Sequence, residues 1–240
     1  MIYDKNYFLS RCTGFEDFLK HKADVLNNRL RRVLQVVGPV KGTSVLDLGS
    51  GRGEMLYQCA RRGCKIVGVD SSLDAISLSR QIIKKLAKSA KKNVVLIHED
   101  INNVIFPKES FDAILMSDIV EHLDDGDLKE IFNKCNKWLK SGGRLIIHTS
   151  PNKLYILYIY PILRFMNLIL GKDLGPVRKN YPDSLEHPNE QTPMSLKKLL
   201  KENFEAKIWC ENMNAAGFVN KIPLLNLFAV SIFAEARKKS

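Results

Sequence analysis

"VLDLGSGRGE", residues 45–54, sets three glycines at alternate positions behind a short apolar run, with Asp47 two residues before the first of them. A run of Val and Leu that turns abruptly into a glycine-rich loop reads as a buried strand feeding a helix. At such a turn backbone N–H groups face the crevice at the carboxyl end of the strand, and glycine lets a ligand approach within contact distance. The spacing narrows the ligand class. Gly49, Gly51 and Gly53 read G-x-G-x-G, whereas a dinucleotide fingerprint needs G-x-G-x-x-G and residue 54 is Glu. No G-K-[S/T] follows, which excludes a P-loop.

Working outward, short apolar runs recur at 64–70 ("CKIVGVD"), 93–100 ("NVVLIHED"), 111–117 ("FDAILMS") and 143–149 ("GRLIIHT"), with helical periodicity over 53–62, 73–90 and 127–140. Runs of Val, Ile and Leu without strict alternation suit strands buried on both faces, so the pattern predicts an α/β fold with a doubly wound, open parallel sheet. Upstream, residues 16–37 carry apolar residues at three- and four-residue spacing and predict one amphipathic helix. Downstream of 150 the alternation breaks, then resumes with a helix in "SLKKLLKEN" and strands in "FEAKIWCEN" and "NLFAVSIFAEA". Asp70 closes the second strand where an acid accepts hydrogen bonds from ribose hydroxyls, and Asp100 closes the third, positioned to receive the exocyclic amine of a base.

In order along the chain, "VLDLGSGRGE", "VGVDSS", "HEDI", "FDAILMSDIVEHL" and "LKSGGRLIIHTSPN" resemble the successive motifs of class I S-adenosylmethionine-dependent methyltransferases of the small-molecule type. The resemblance covers about residues 40–152. It implies a Rossmann-like seven-stranded sheet with an antiparallel last strand, S-adenosylmethionine as cofactor and S-adenosylhomocysteine as product. It also implies roles: Asp47, Gly49 and Gly51 around the methionine moiety, Asp70 on the ribose, Asp100 and Ile101 at the adenine and Ser117 near the amino-acid end. Ser50, Gly53 and Ser71 complete the cofactor-contacting set. The chain then reads as one domain: an N-terminal helical cap (1–40), a cofactor-binding core (41–150), a substrate lid or insertion after the fifth strand (151–193) and a C-terminal helix with strands (194–240).

Methyl transfer is mainly a positioning task, but a hydroxyl acceptor needs a base as well. His122, His148 and His187 are the candidates, the first two because they fall near the carboxyl ends of strands. Asp118, Glu121 and His122 stand at i, i+3 and i+4, so a helical turn would put two carboxylates and an imidazole on one face, a possible divalent-cation set. That spacing resembles the E-x-x-E-H pattern of the ubiquinone-pathway O-methyltransferases, with Asp118 replacing the first glutamate. A metal is not the favoured reading, because "EHL" is widespread in small-molecule methyltransferases. In "EHPNE", His187, Asn189 and Glu190 read either as turn and capping residues or as groups that orient a substrate.

The most apolar stretch, "LYILYIYPILRFMNLIL" (154–170), is interrupted by Pro161 and Arg164 and is short for a bilayer span. A substrate lid, a peripheral membrane contact and a dimer contact all remain open for it. The ubiquinone-pathway enzymes resemble it in carrying a membrane-contacting insertion there. Lys153, Arg164, Lys172, Arg178 and Lys179 beside it suit an anionic lipid surface. With 37 Lys and Arg against 26 Asp and Glu, the net charge of +11 also admits phosphate-rich partners. A nucleic-acid partner is not favoured, since "SDIV" stands where nucleobase amino-group methyltransferases resemble [N/D]-P-P-[Y/F]. Five cysteines without a C-x-x-C pair signal neither a disulfide framework nor a zinc site and fit a cytoplasmic protein, as does the lack of an apolar run in the first 18 residues. The expectation is O-methylation of a small, lipophilic acceptor. RNA or protein methylation and an inactive cofactor-binding scaffold stand as the alternatives.

Overall fold

In the computed structural model, residues 3–177, 187–212 and 226–239 are described. Arg178, Lys179 and the following Pro-rich stretch lie outside them.

Each apolar run becomes a strand: β1 (Ser44–Leu48), β2 (Lys65–Asp70), β3 (Val94–His98), β4 (Phe111–Ser117), β5 (Leu139–Thr149), β6 (Phe204–Glu211) and β7 (Ser231–Lys238). They form one seven-stranded sheet in the order β3-β2-β1-β4-β5-β7-β6. The first five strands run parallel, and β7 is antiparallel to both β5 and β6. Successive residues along a strand point to opposite faces, and in the central strands β1, β4 and β5 both faces are buried. Leu46, Ile114, Met116, Leu145 and Ile147 enter one core with Ile131, Phe132 and Leu196. Val45, Leu115 and Ile146 enter the other with Val33, Leu34, Leu56 and Ile82. Continuous apolar runs rather than strict alternation are the sequence consequence of that double burial.

The helices are α1 (Phe15–His21), α2 (Asn28–Val37), α3 (Glu54–Arg61), α4 (Leu73–Ile83), α5 (Lys88–Lys91), α6 (Asp125–Trp138), α7 (Tyr160–Ile169) and α8 (Pro193–Leu200). Three differ from the periodicity. The single helix expected over 16–37 is two, because Lys22 adopts φ +55° and the Asn27 side chain accepts a hydrogen bond from Leu30 N–H, starting α2 afresh. Such a cap contributes about 1 kcal/mol. The helix expected to reach residue 90 stops at Ile83, where the chain turns to bury Leu86 in the core before the single turn of α5. The helix expected over 127–140 ends at Trp138: the chain is already in β5 from Leu139, and Gly142 and Gly143 lie within a register shift opposite Phe111 and Ala113.

Strand order reverses at β1, between β2 and β4. An open sheet leaves a crevice outside the carboxyl ends of the strands at such a switch point, and this is where ligands bind.

Candidate active site

A cavity of about 280 Å³ fills that crevice. Its floor is the loop after β1. Gly49 (φ +75°) lies so close to Ile119 that a Cβ would meet its Cδ1 at 2.9 Å. Gly53 (φ +86°) begins α3 and packs on Ser79, whose Oγ would lie 2.6 Å from a Cβ. Of the ten residues expected at the cofactor, Asp47, Gly49, Ser50, Gly51, Asp70, Ser71, Asp100, Ile101 and Ser117 line the cavity, while Gly53 serves the helix–loop packing instead. Asp100 lies two residues beyond the end of β3 rather than within it, in a turn where its Oδ1 accepts from Asn102 N–H at 2.8 Å.

The acids of this floor have unlike surroundings. Asp70 holds the loops together, accepting from Gly51 N–H (2.8 Å) and Ser72 N–H (2.9 Å). Burial raises its pKa, and those two N–H groups hold the rise in check. Asp47 is 2% exposed, and burial, with Asp70 and Glu54 nearby, pushes its carboxyl up to about 8. Among the described residues its Oδ2 and the Ser50 Oγ have no hydrogen-bond partner. A buried carboxylate oxygen left unpaired at the edge of a cavity calls for a donor or a cation from a ligand. The ammonium and sulfonium groups of S-adenosylmethionine are such a complement, so the residues fit that cofactor.

The roof comes from the N-terminus. A π-helical turn over Tyr7–Arg11 places Tyr7 and Phe8 against the cavity, with Tyr3, Cys12 and Thr13 beside them. Arg52, from the glycine loop and 3% exposed, fixes this strap: its guanidinium donates to the carbonyls of Phe8 (3.0 Å), Cys12 (3.3 Å) and Thr13 (3.1 Å). Glu54 balances its charge at 2.9 Å. Ser72 Oγ donates to the Tyr3 carbonyl at 2.5 Å, tying the strap to the ribose-acid loop as well.

At the far end stand the histidines. His122 closes a short 3-10 turn, Val120–His122; its Nδ1 lies 2.9 Å from the Tyr3 hydroxyl. Burial, with Glu121 and Asp70, pushes Tyr3 up to about 12, so the phenol keeps its proton. His187 arrives from the loop before α8 and meets His122 edge to face, ring centroids 4.6 Å apart. His148 does not join them. It is fully buried, does not line the cavity, and its Nδ1 faces Asp118 at 2.8 Å. Burial, and next Arg29, hold its pKa well below the usual imidazole value. As a base touching substrate it is ruled out by geometry.

The carboxylate–imidazole set also changes membership. Asp118 has φ +56°, which turns it out of the helical turn the spacing suggested, and it pairs with Arg29 and His148. The donors that converge are Glu121, His122 and His187, their ligand atoms within 4.8 Å of one another. Asn189 proves to be a turn residue: its N–H donates to the Glu121 carbonyl (3.1 Å) and its amide to Leu123 O (2.8 Å) and Asp125 (2.9 Å). From the 151–193 insertion only Pro151 and His187 reach the cavity among the described residues, and none of 154–170 does. That stretch forms a π-helical turn and α7, with Tyr158, Ile162, Phe165, Leu168 and Ile169 each more than half exposed.

Reading along the chain missed Tyr3, Tyr7, Phe8, Arg29 and Arg52. The aromatic "YDKNYF" (3–8) is the one signal available, and nothing in the sequence distinguishes the buried Arg52 or the largely buried Arg29 from arginines that lie on the surface.

A family model described as a methyltransferase domain matches residues 45–143. A phosphoethanolamine N-methyltransferase of Arabidopsis thaliana is 28% identical over 61% of this chain and 30% of its own length. The ubiquinone biosynthesis O-methyltransferase of Pelagibacter ubique is 29% identical over 69% of this chain and 67% of its own. The chain thus spans under a third of the Arabidopsis enzyme and about two thirds of the bacterial one. Among solved structures, an S-adenosylmethionine-dependent methyltransferase from Archaeoglobus fulgidus superimposes with a TM-score of 0.60 at 22% identity, covering 95% of this chain and all of that one. At that identity the likeness is one of fold.

Proposed function

We propose that this chain is a class I S-adenosylmethionine-dependent methyltransferase that methylates a hydroxyl group of a small, largely apolar acceptor, a reading supported by the methyltransferase-domain match over residues 45–143 and the likeness to a ubiquinone biosynthesis O-methyltransferase. The observation that carries the reading is His122: it lines the same cavity as Asp47 and Asp70, with its ring held by the Tyr3 hydroxyl at 2.9 Å. A free amine attacks a methyl donor unaided, whereas a hydroxyl gains by losing its proton to a base, so a histidine held in place at the acceptor end favours oxygen. Tyr3, Tyr7, Phe8, Leu123 and Pro151 give the cavity its apolar walls.

S-adenosylmethionine, when bound, supplies an activated methyl group on a positively charged sulfur. Asp70 would hold the ribose hydroxyls, Ile101 and Asp100 the adenine, and Asp47 the cationic end. The strap over residues 3–13 excludes water from the acceptor hydroxyl, and His122 takes its proton. The similar relatives are named as a ubiquinone biosynthesis O-methyltransferase and a phosphoethanolamine N-methyltransferase, so the likeness supports methyl transfer and leaves the acceptor to the walls.

The outward apolar face of α7 supports a lipophilic acceptor met at an anionic membrane surface. Phe165 and Ile169 are 65% and 70% exposed, and the exposed Lys153 and Lys172 flank the helix, which is the arrangement of an interfacial helix. Among the described residues no helix is long and apolar enough to cross a membrane.

Transfer of labelled methyl from S-adenosylmethionine into a cell extract, partitioned into organic, nucleic-acid, protein and polar fractions, tests the reading. Label in the organic phase is expected. Label confined to RNA or protein would overturn the small-acceptor assignment.

A further inference from the structure

We propose that the amino-terminal edge of the sheet, under β2 and β3, is a binding face for the phosphodiester backbone of a nucleic acid, held without regard to base sequence. Residues 55–69 and 75–95 contain nine Lys and Arg and no Asp or Glu. Those two segments therefore carry nine of the chain's eleven net positive charges. The fold gathers them on one side. Arg61 ends α3 and Lys85 follows α4, and both reach the Asp24 carboxylate, at 3.9 and 3.6 Å. Lys65 opens β2, and the next residue, Ile66, donates its N–H to the Asn93 carbonyl at 2.7 Å, which brings the start of β2 against the turn carrying Lys91 and Lys92.

Among the described residues Asp24 is the only acid that pairs with any of the nine, and Lys65, Arg80, Lys84, Lys88 and Lys92 are exposed without an ion pair. A cation in the last turn of a helix complements the helix dipole, which accounts for Arg61 and Arg80. The single turn of α5 has little dipole to complement, yet Lys88 stands three and four positions from Lys91 and Lys92, where like charges repel. A polyanion laid across the face turns that repulsion into attraction and releases its own counterions.

The surroundings select the class of partner. No aromatic ring is exposed in the two segments for bases to stack on, since Tyr57 is buried. Val95 is the one large apolar side chain exposed in them, too little to anchor a protein segment or to enter a bilayer. The apolar helix α7, which suits a lipid surface, follows β5 at the carboxyl end of the sheet instead. What the face offers is an array of point charges, and a row of backbone phosphates is its complement. From Lys65 to Asp70, β2 spans about 17 Å at ~3.3 Å per residue, so this face and the cofactor floor lie at opposite ends of one strand. The bound strand is not the methyl acceptor, and "SDIV", which speaks against methylation of a base, does not bear on contact with the backbone.

The test is fluorescence anisotropy of a labelled oligouridylate with the full chain as salt is raised. A dissociation constant of about 1–100 μM is expected near physiological salt, and log affinity should fall against log salt with a slope of about −3, as for roughly four phosphates. An oligodeoxythymidylate should bind within about threefold of the RNA, because the backbone alone is held. Reversing Lys84→Glu, Lys88→Glu and Lys92→Glu together should weaken binding about a hundredfold, with thermal unfolding and S-adenosylmethionine affinity unchanged. The same reversal at the exposed Lys197, Lys198 and Lys201, on α8 beside α6 and the opposite edge strand β6, should weaken it less than about fivefold. Equal losses in the two variants would overturn the assignment, since net charge and not this face would then be read. So would a wild type that does not bind, or a slope near zero. Tighter binding of polyglutamate would reassign the face to an acidic protein, and tighter binding of phosphatidylglycerol vesicles to a membrane; either result overturns the proposal. Methyl transfer plays no part in the readout, so the outcome is independent of the proposed function.

Discussion

At the Asp70 end of the cavity the lining comes from loops that follow β1, β2 and β3, each contiguous with its strand; His122 stands on the turn after β4, and its neighbours Tyr3 and His187 come from segments remote from it in sequence. The first end is set by local backbone geometry, because a parallel strand that ends in glycine delivers its N–H groups to the crevice wherever it occurs. The second is set by tertiary packing of segments far apart in sequence. One end can therefore persist across relatives with different acceptors while the other is rebuilt.

If the two ends are functionally separate, substitutions should divide cleanly between them. The largest effect is expected for His122→Ala, which should lower turnover by roughly 10²–10⁴-fold with S-adenosylmethionine affinity unchanged by calorimetry. A matching loss of cofactor affinity would erase the distinction. Asp70→Ala should show the converse: loss of the two N–H contacts and of the ribose acceptor is expected to weaken cofactor binding about a hundredfold or more, two hydrogen bonds to a charged group at about 1.5–3 kcal/mol each. Unchanged affinity would refute the assignment of that end.

Arg52→Ala tests the join between the ends. It leaves Glu54 buried without its partner and frees three carbonyls of the strap, so a destabilisation of about 3 kcal/mol is expected, with faster amide exchange confined first to residues 3–14. Exchange that rises uniformly would mean that the strap is not a separate unit.

A smaller effect concerns Asp47. Its folded pKa of about 8 lies above the ordinary carboxyl value near 3.9. The ligand-free protein therefore retains a proton that the unfolded chain loses, and this group's contribution to stability falls as pH rises from about 4 to about 8. A cationic ligand favours the ionised form, so S-adenosylmethionine affinity should rise with pH up to about 8, with a proton released on binding. Calorimetry in buffers of unlike ionisation enthalpy reads that proton; none released at pH 7 would remove Asp47 from the cationic end. The smallest effect on catalysis is expected from Ile162→Glu with Phe165→Glu on α7, which should abolish sedimentation with anionic vesicles while turnover of a water-soluble acceptor holds. A wild type that never sediments with them would end the membrane reading.

The same contrast explains what the sequence disclosed. β1, its loop and Asp70 are legible because period, glycine spacing and acid all lie within one βαβ unit. Asp118 misled because i, i+3 spacing implies a shared face only inside a helix, and its positive φ removes it from one. His187 could be noticed but not placed, since its approach to His122 depends on Asn189 anchoring a loop to a turn more than sixty positions earlier. Tyr3 and Arg52 meet the site through contacts across the whole core-forming segment, which no local pattern encodes. The break at Lys22 was equally hidden: apolar spacing continues through it, yet Val25 is 47% exposed while Leu26 beside it is buried.

Arg52 holds the strap by main-chain oxygens alone, those of Phe8, Cys12 and Thr13. Every residue offers that acceptor, so the grip does not depend on which side chains the strap carries. Tyr7 and Phe8 add a second hold of another kind, buried with Ala75 and Leu78 of α4, so it is the solvent-facing side chains of the strap that can change without unfastening the roof.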